Sequence, residues 1–163
     1  MTTNKDASQA VPGAVQIARS VLVLVAFSHV IVPIVMWMRR DDLTAEISSA
    51  NPGFGSAELD AAVNIALRSA ALFHAVLLIL TVFLVIKLAT GRRWVRRLTA
   101  ISQILAVLFS AVSWSSSTMF HAVIPPIDNL QLLAIGLLWA PQQSRAFFDR
   151  HAADNLVSLP ARD

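Results

Sequence analysis

The chain contains no cysteine, which excludes thiol–disulfide exchange, Cys-ligated zinc or iron–sulfur centres and a cysteine nucleophile. It is also poor in charge: 14% of its residues are Asp, Glu, Lys or Arg, against about 25% in soluble domains. Low-complexity and acidic tracts are missing, so a disordered or fibrous chain is excluded. No Walker-type phosphate loop, H-E-x-x-H, G-x-S-x-G or Asp-rich diphosphate motif occurs. Nucleotide hydrolysis, zinc proteolysis and serine hydrolysis therefore have no support in the sequence. Nor is there an internal repeat or an inverted duplication of the transporter kind.

What is present is apolar: 56% of the 163 residues. A helix crossing a hydrocarbon core of about 30 Å needs about 20 such residues, and four runs approach that length. The predicted spans are 20–38, closed by Arg39, Arg40, Asp41 and Asp42; 62–87, entered through Ser56 as N-cap with Glu58 and Asp60 in the first turn; 98–120; and 126–145, behind Pro125-Pro126. The second run is over-long, so its first turns should project from the core. The expected architecture is an all-α integral membrane protein, a single domain over 13–148 with four transmembrane helices in an up-down bundle. Flanking it are a flexible cytoplasmic N-terminus, 1–12, and a cytoplasmic tail, 149–163. Residues 39–55 form the one long external loop, in which LTAEISS could make a short surface helix.

Charge sets the orientation. Lys5, Arg19, Lys87, Arg92, Arg93, Arg96, Arg97, Arg145, Arg150 and Arg162, ten of the thirteen basic residues, fall on one side. Arg39 and Arg40 fall on the other, and Arg68 within a span. By the positive-inside rule the chain is N-in/C-in. The net charge of +3 is thus sorted by membrane side rather than gathered into a patch for nucleic acid. Arg19, the apolar run and Ala26-Phe27-Ser28 imitate a signal peptide, but the run continues for ten residues beyond Ser28, so no cleavage is expected. The expected location is a cell membrane, multi-pass, of the bacterial inner or plasma type.

Ionisable groups inside a span are costly and mark function by default. The topology places His29 near the middle of the first span and His74 slightly outward of the middle of the second. Asn64 and Arg68 come near the outer end of the second, Trp114, Ser117 and His121 at the outer end of the third, and Asp128 and Gln131 at that of the fourth. At about 100° per residue, Asp60, Asn64 and Arg68 share a helix face. Gln103, Ser110, Trp114, Ser117 and His121 form one stripe, and Asp128 shares a face with Gln131. The expectation is a polar pocket in the outer half, capped by residues 39–55 and lined by Asp60, Asn64, Trp114, Ser117, Gln131, His29 and His74.

Each feature has a structural reading beside the functional one. Arg68 holds an anionic ligand, or it pairs with Asp128 or Asp60 to pin helices together. His121 and Asp128 form an acid–base pair, or an ordinary interfacial loop. The small residues of the third span serve close helix packing or a substrate wall. Histidines at similar depth on adjacent helices, His29 and His74, are what a bis-imidazole haem b requires, and equally what helix packing or a quinone contact would use.

Three functions stay open. The first is a lipid-binding or accessory subunit, with a membrane lipid, a lipophilic small molecule, a larger membrane protein or a second copy as partner, without cofactor or metal. The second is a cofactor-free intramembrane acid–base enzyme of the isomerase, cyclase or lyase class acting on a lipophilic substrate, with Asp128 or Asp60 as acid, His121 as base or proton relay, Arg68 as anion holder and Trp114 stabilising developing positive charge through its ring face. The third is a haem or quinone redox subunit using His29 and His74.

Overall fold

The computed structural model describes residues 10–157, the side chains of Ser116 and of 151–157 excepted. Most of the expected N-terminal segment 1–12, and the end of the tail 149–163, lie outside the described residues. The described chain is all-helical: α1 Gly13–Met38, α2 Arg40–Ala50, α3 Ser56–Leu88, α4 Arg93–Ser116, a 3₁₀ turn Thr118–Phe120, α5 Ile124–Trp139 and α6 Gln142–Val157.

Three helices, α1, α3 and α4, are long and apolar enough to cross a membrane. Their outer faces carry what a soluble protein would bury: Leu72 and Ile79 on α3 are both 70% exposed, a surface compatible with a hydrocarbon surround. The 33 residues of α3 extend about 50 Å at 1.5 Å per residue, well beyond the roughly 30 Å of a bilayer core. The excess lies at its N-terminal end. There α2 lies against it, with Leu43 of α2, Val63 of α3 and Met36 of α1 forming a small apolar core.

α1 and α3 run antiparallel in one register. The Arg19 Nε donates to the Val85 carbonyl at 2.9 Å, His29 meets His74, and Arg40 Nη1 donates to Asn64 at 2.9 Å. α5 packs against both α1 and α4. The main core lies at the end of the molecule where α1 begins. It joins Val15, Ala18 and Leu22 to Leu84 and Leu88, Ala134 and Leu138, and Phe147 and Phe148. The turn from α3 to α4 is closed by Gly91, whose φ of 64° is open to glycine at no steric cost.

Several boundaries differ from those the sequence suggested. Gly55, not Ser56, caps α3, because the Glu58 carboxylate reaches back to accept from its backbone N–H at 2.9 Å. Residues 40–50 are a full helix, with Asp41 and Asp42 in the first turn, where they complement the helix dipole. The expected third span 98–120 ends at Ser116. Ser117 leaves helical geometry (φ −149°, ψ 130°) and its side chain accepts from the Met119 N–H, which starts the 3₁₀ turn. The expected fourth span 126–145 is two helices: Pro141 has no N–H to donate to the Leu137 carbonyl, which accepts from the Ser144 hydroxyl instead, so α5 stops at Trp139 and α6 begins at Gln142. The 16 residues of α5 span only about 24 Å.

Candidate functional site

Between α1, α3, α4 and α5 lies a cavity of about 370 Å³. Its wall is mostly apolar, with Val32, Leu77, Phe120 and Ile127 among the lining residues, and its polar groups come from all four helices and include His29, His74, Ser110, Asp128 and Gln131. Phe73 of α3 and Phe109 of α4 stand at its side, ring centroids 5.0 Å apart. Both are exposed on the outer surface, so the cavity reaches the surface between α3 and α4.

The Nδ1 atoms of His29 and His74 are 3.2 Å apart, with ring centroids at 5.4 Å. A hydrogen bond between two Nδ1 atoms requires one ring to donate and the other to accept. Pro33 in the following turn of α1 has no N–H, and so deprives the His29 carbonyl of its usual helical donor.

On the opposite wall Ser110 Oγ lies 2.8 and 2.7 Å from the two Asp128 carboxyl oxygens and 2.7 Å from the Val107 carbonyl. A serine hydroxyl has one hydrogen for these three oxygens, so the carboxyl group retains acceptor capacity on the cavity side. One turn along α5, Gln131 is 3% exposed, and its Oε1 is enclosed without a hydrogen-bond partner. An enclosed amide with an unpaired end is expensive, and Gln131 is among the residues that line the cavity.

The expected site residues divide into two groups. His29, His74, Asp128 and Gln131 meet in the cavity. Asp60, Asn64, Ser117, His121, Trp114 and Arg68 are not among its lining residues. Arg40 rather than Arg68 takes the polar face of α3, donating to Asn64 and lying 3.6 Å from Asp60. Ser117 donates to the Glu46 carboxylate at 2.8 Å, and the Thr118 N–H donates to its other oxygen at 3.2 Å, which ties α2 to the turn before α5. His121 Nε2 is 2.9 Å from the Trp114 carbonyl, and the two rings stack at 4.0 Å. Arg68 is exposed on α3, and the α1/α3 register sets it opposite Met36, about one turn inside Arg39. Arg68, His121 and Asp128 thus lie in separate places.

Ser110 and Glu46 were missed as site residues. The stripe on α4 already contained Ser110, and its one-sided alignment with Gln103 was the available signal. Glu46 had none, because its partners come from a turn that sequence periodicity assigned to a helix.

Among the described residues no group of three or more His, Asp or Glu side chains is placed to hold a metal ion. Comparison with protein-family models, curated proteins and solved structures gave no match.

Proposed function

We propose that this chain is a multi-pass membrane protein that binds a lipophilic molecule carrying a hydrogen-bond donor, such as a long-chain or isoprenoid alcohol, in the cavity between α1, α3, α4 and α5. The observation that carries this reading is the pairing of the unpartnered Gln131 Oε1 with an under-satisfied Asp128 in an otherwise apolar cavity. Both are acceptors, so they favour a ligand that donates. The surface opening beside Phe73 and Phe109 suits entry from within the membrane. In this reading α5 is a short fourth crossing, the bundle is N-in/C-in, and α2 with the Thr118–Phe120 turn covers the outer side.

Native mass spectrometry of the detergent-purified protein tests the reading. A long-chain primary alcohol should be retained at least tenfold better than its methyl ether, which has the same tail and no donor. Equal retention of the two overturns the assignment. Topology is tested separately. The chain has no native cysteine, so each introduced one is a unique probe. Asp41→Cys should react with an impermeant maleimide on intact cells, and Thr90→Cys only after lysis.

The acid–base reading has one specific observation in its favour: Asp128 and the His29–His74 pair line the same apolar cavity. There a carboxyl group and an imidazole would serve as acid and base, with His29 and His74 in the place first given to His121. Chemical change of a bound alcohol, seen as a new retained mass that disappears in Asp128→Asn, would establish it.

A further inference from the structure

At the opposite end of the molecule from α2, the first turns of α4 carry Arg92, Arg93, Arg96 and Arg97 with no acidic residue among them. Cations there face the positive end of the helix dipole, where an anion is favoured. Arg145 of α6 is also close enough to Arg96 to repel it, and among the described residues Asp149 is the carboxylate near enough to offset the cluster. That carboxylate is already engaged by Arg93, at 3.1 Å.

Arg96 is the unusual member. It is 8% exposed, with its guanidinium 4.3 Å from the Trp139 ring centroid and 5.2 Å from that of Phe148. Its Nε and Nη1 are enclosed without any hydrogen-bond partner. Aromatic faces stabilise the charge but accept no hydrogen bond of ordinary strength, so two of the three nitrogens of a guanidinium held between two rings remain without a hydrogen-bond partner. Arg93, Arg97 and Arg145 surround it with exposed, adjustable side chains.

We propose that the ends of α4, α5 and α6 form a binding site for a phosphate group, with Arg96 as its fixed element and Arg97 and Arg145 as its clamps. Arginine suits this chemistry because its planar fork matches two phosphate oxygens. The phosphate belongs to an anionic phospholipid headgroup of the adjoining leaflet or to a free phosphate ion. This inference rests on the membrane reading above but not on the cavity or its ligand.

The test reconstitutes the full chain into phosphatidylcholine vesicles, with and without 20% phosphatidylglycerol, and follows flotation and lipid retained on mild detergent extraction. Failure to float with pure phosphatidylcholine would sink the membrane reading itself. If the protein floats, phosphatidylglycerol should be retained over phosphatidylcholine, and Arg97→Gln/Arg145→Gln, altering exposed side chains only, should reduce this about 25-fold. That figure follows from about fivefold for each hydrogen bond to the phosphate that is lost. Arg96→Gln should reduce it at least fivefold. Lys87→Gln, on the same face but outside the site, should have no effect.

In lipid-free detergent, stabilisation by millimolar inorganic phosphate that is lost in the double variant identifies free phosphate as the source. Absence of that stabilisation, with phosphatidylglycerol retained, identifies the lipid. No preference for phosphatidylglycerol together with no response to phosphate overturns the site. An equal loss with Lys87→Gln overturns it too, because charge spread over the whole face would then suffice.

Discussion

Gln131→Leu is expected to raise the thermal stability of the ligand-free protein while weakening its retention of a long-chain alcohol. These opposite signs come from one atom. In the empty cavity the Gln131 Oε1 is enclosed and unpaired, and whichever way the amide is turned, one polar end occupies that position. Removing an unsatisfied buried polar group is worth about 1–3 kcal/mol, and leucine keeps most of the volume. The apparent Tm should therefore rise by several degrees, at about 2–4 °C per kcal/mol for a chain of this size.

When an alcohol is bound, the same oxygen gains its missing donor. The variant then loses one hydrogen bond, about 1 kcal/mol, or about five- to tenfold in affinity. Thermal unfolding in detergent with and without the alcohol reads both effects from one preparation. A fall in Tm for the empty variant would mean that the amide supports the fold, and would remove the reason for assigning it to a ligand. A hydrogen bond that merely holds helices together cannot give the split.

The cavity was legible in the sequence to the extent that its residues obey helical periodicity. Asp128 and Gln131 share a face because they are three residues apart on one helix, and His29 and His74 lie at matching depth because antiparallel helices of known ends fix each other's register. The rest depended on where helices stop, which hydropathy does not report. Ser117 and His121 fit the stripe of α4 only if the helix continues past Ser116. Once Ser117 caps the 3₁₀ turn, they turn instead toward Glu46 and Trp114.

Arg68 illustrates a second limit. Periodicity placed it with Asp60 and Asn64, but it could not show that α2 would supply Arg40 to that face. α2 contributes Leu43 and Ile47 to the small apolar core, and only this packing on the projecting end of α3 decides the matter. Of the expected spans, the first three correspond to helices able to cross a membrane. The fourth was overextended through Pro141, because glutamines and arginines beyond the proline did not break a run defined by its average.

Phe148→Ala is expected to detach α6, the element the sequence had assigned partly to a span and partly to a tail. Phe147 and Phe148 are buried in the main core, 2% and 0% exposed, on an otherwise largely polar helix. A single aromatic pair with its rings edge to face at 5.2 Å thus anchors α6 beside Leu84, Leu88 and Leu138. Truncating a buried phenylalanine costs about 3–5 kcal/mol. Few other buried groups hold α6, so the loss should appear as local opening before global unfolding.

Tryptic cleavage at Arg150 should accelerate about 100-fold or more, since cleavage follows the population of the open form, while far-UV circular dichroism changes little. Phe148→Leu should restore most of the protection, because a residue that fills the same space keeps the contact with Leu138 and loses only the ring beneath Arg96. If both variants resist trypsin like the parent, α6 is held by the Arg93–Asp149 pair instead. That pair is half-exposed at both ends and worth about 1 kcal/mol or less, so the physical expectation falls on the phenylalanines.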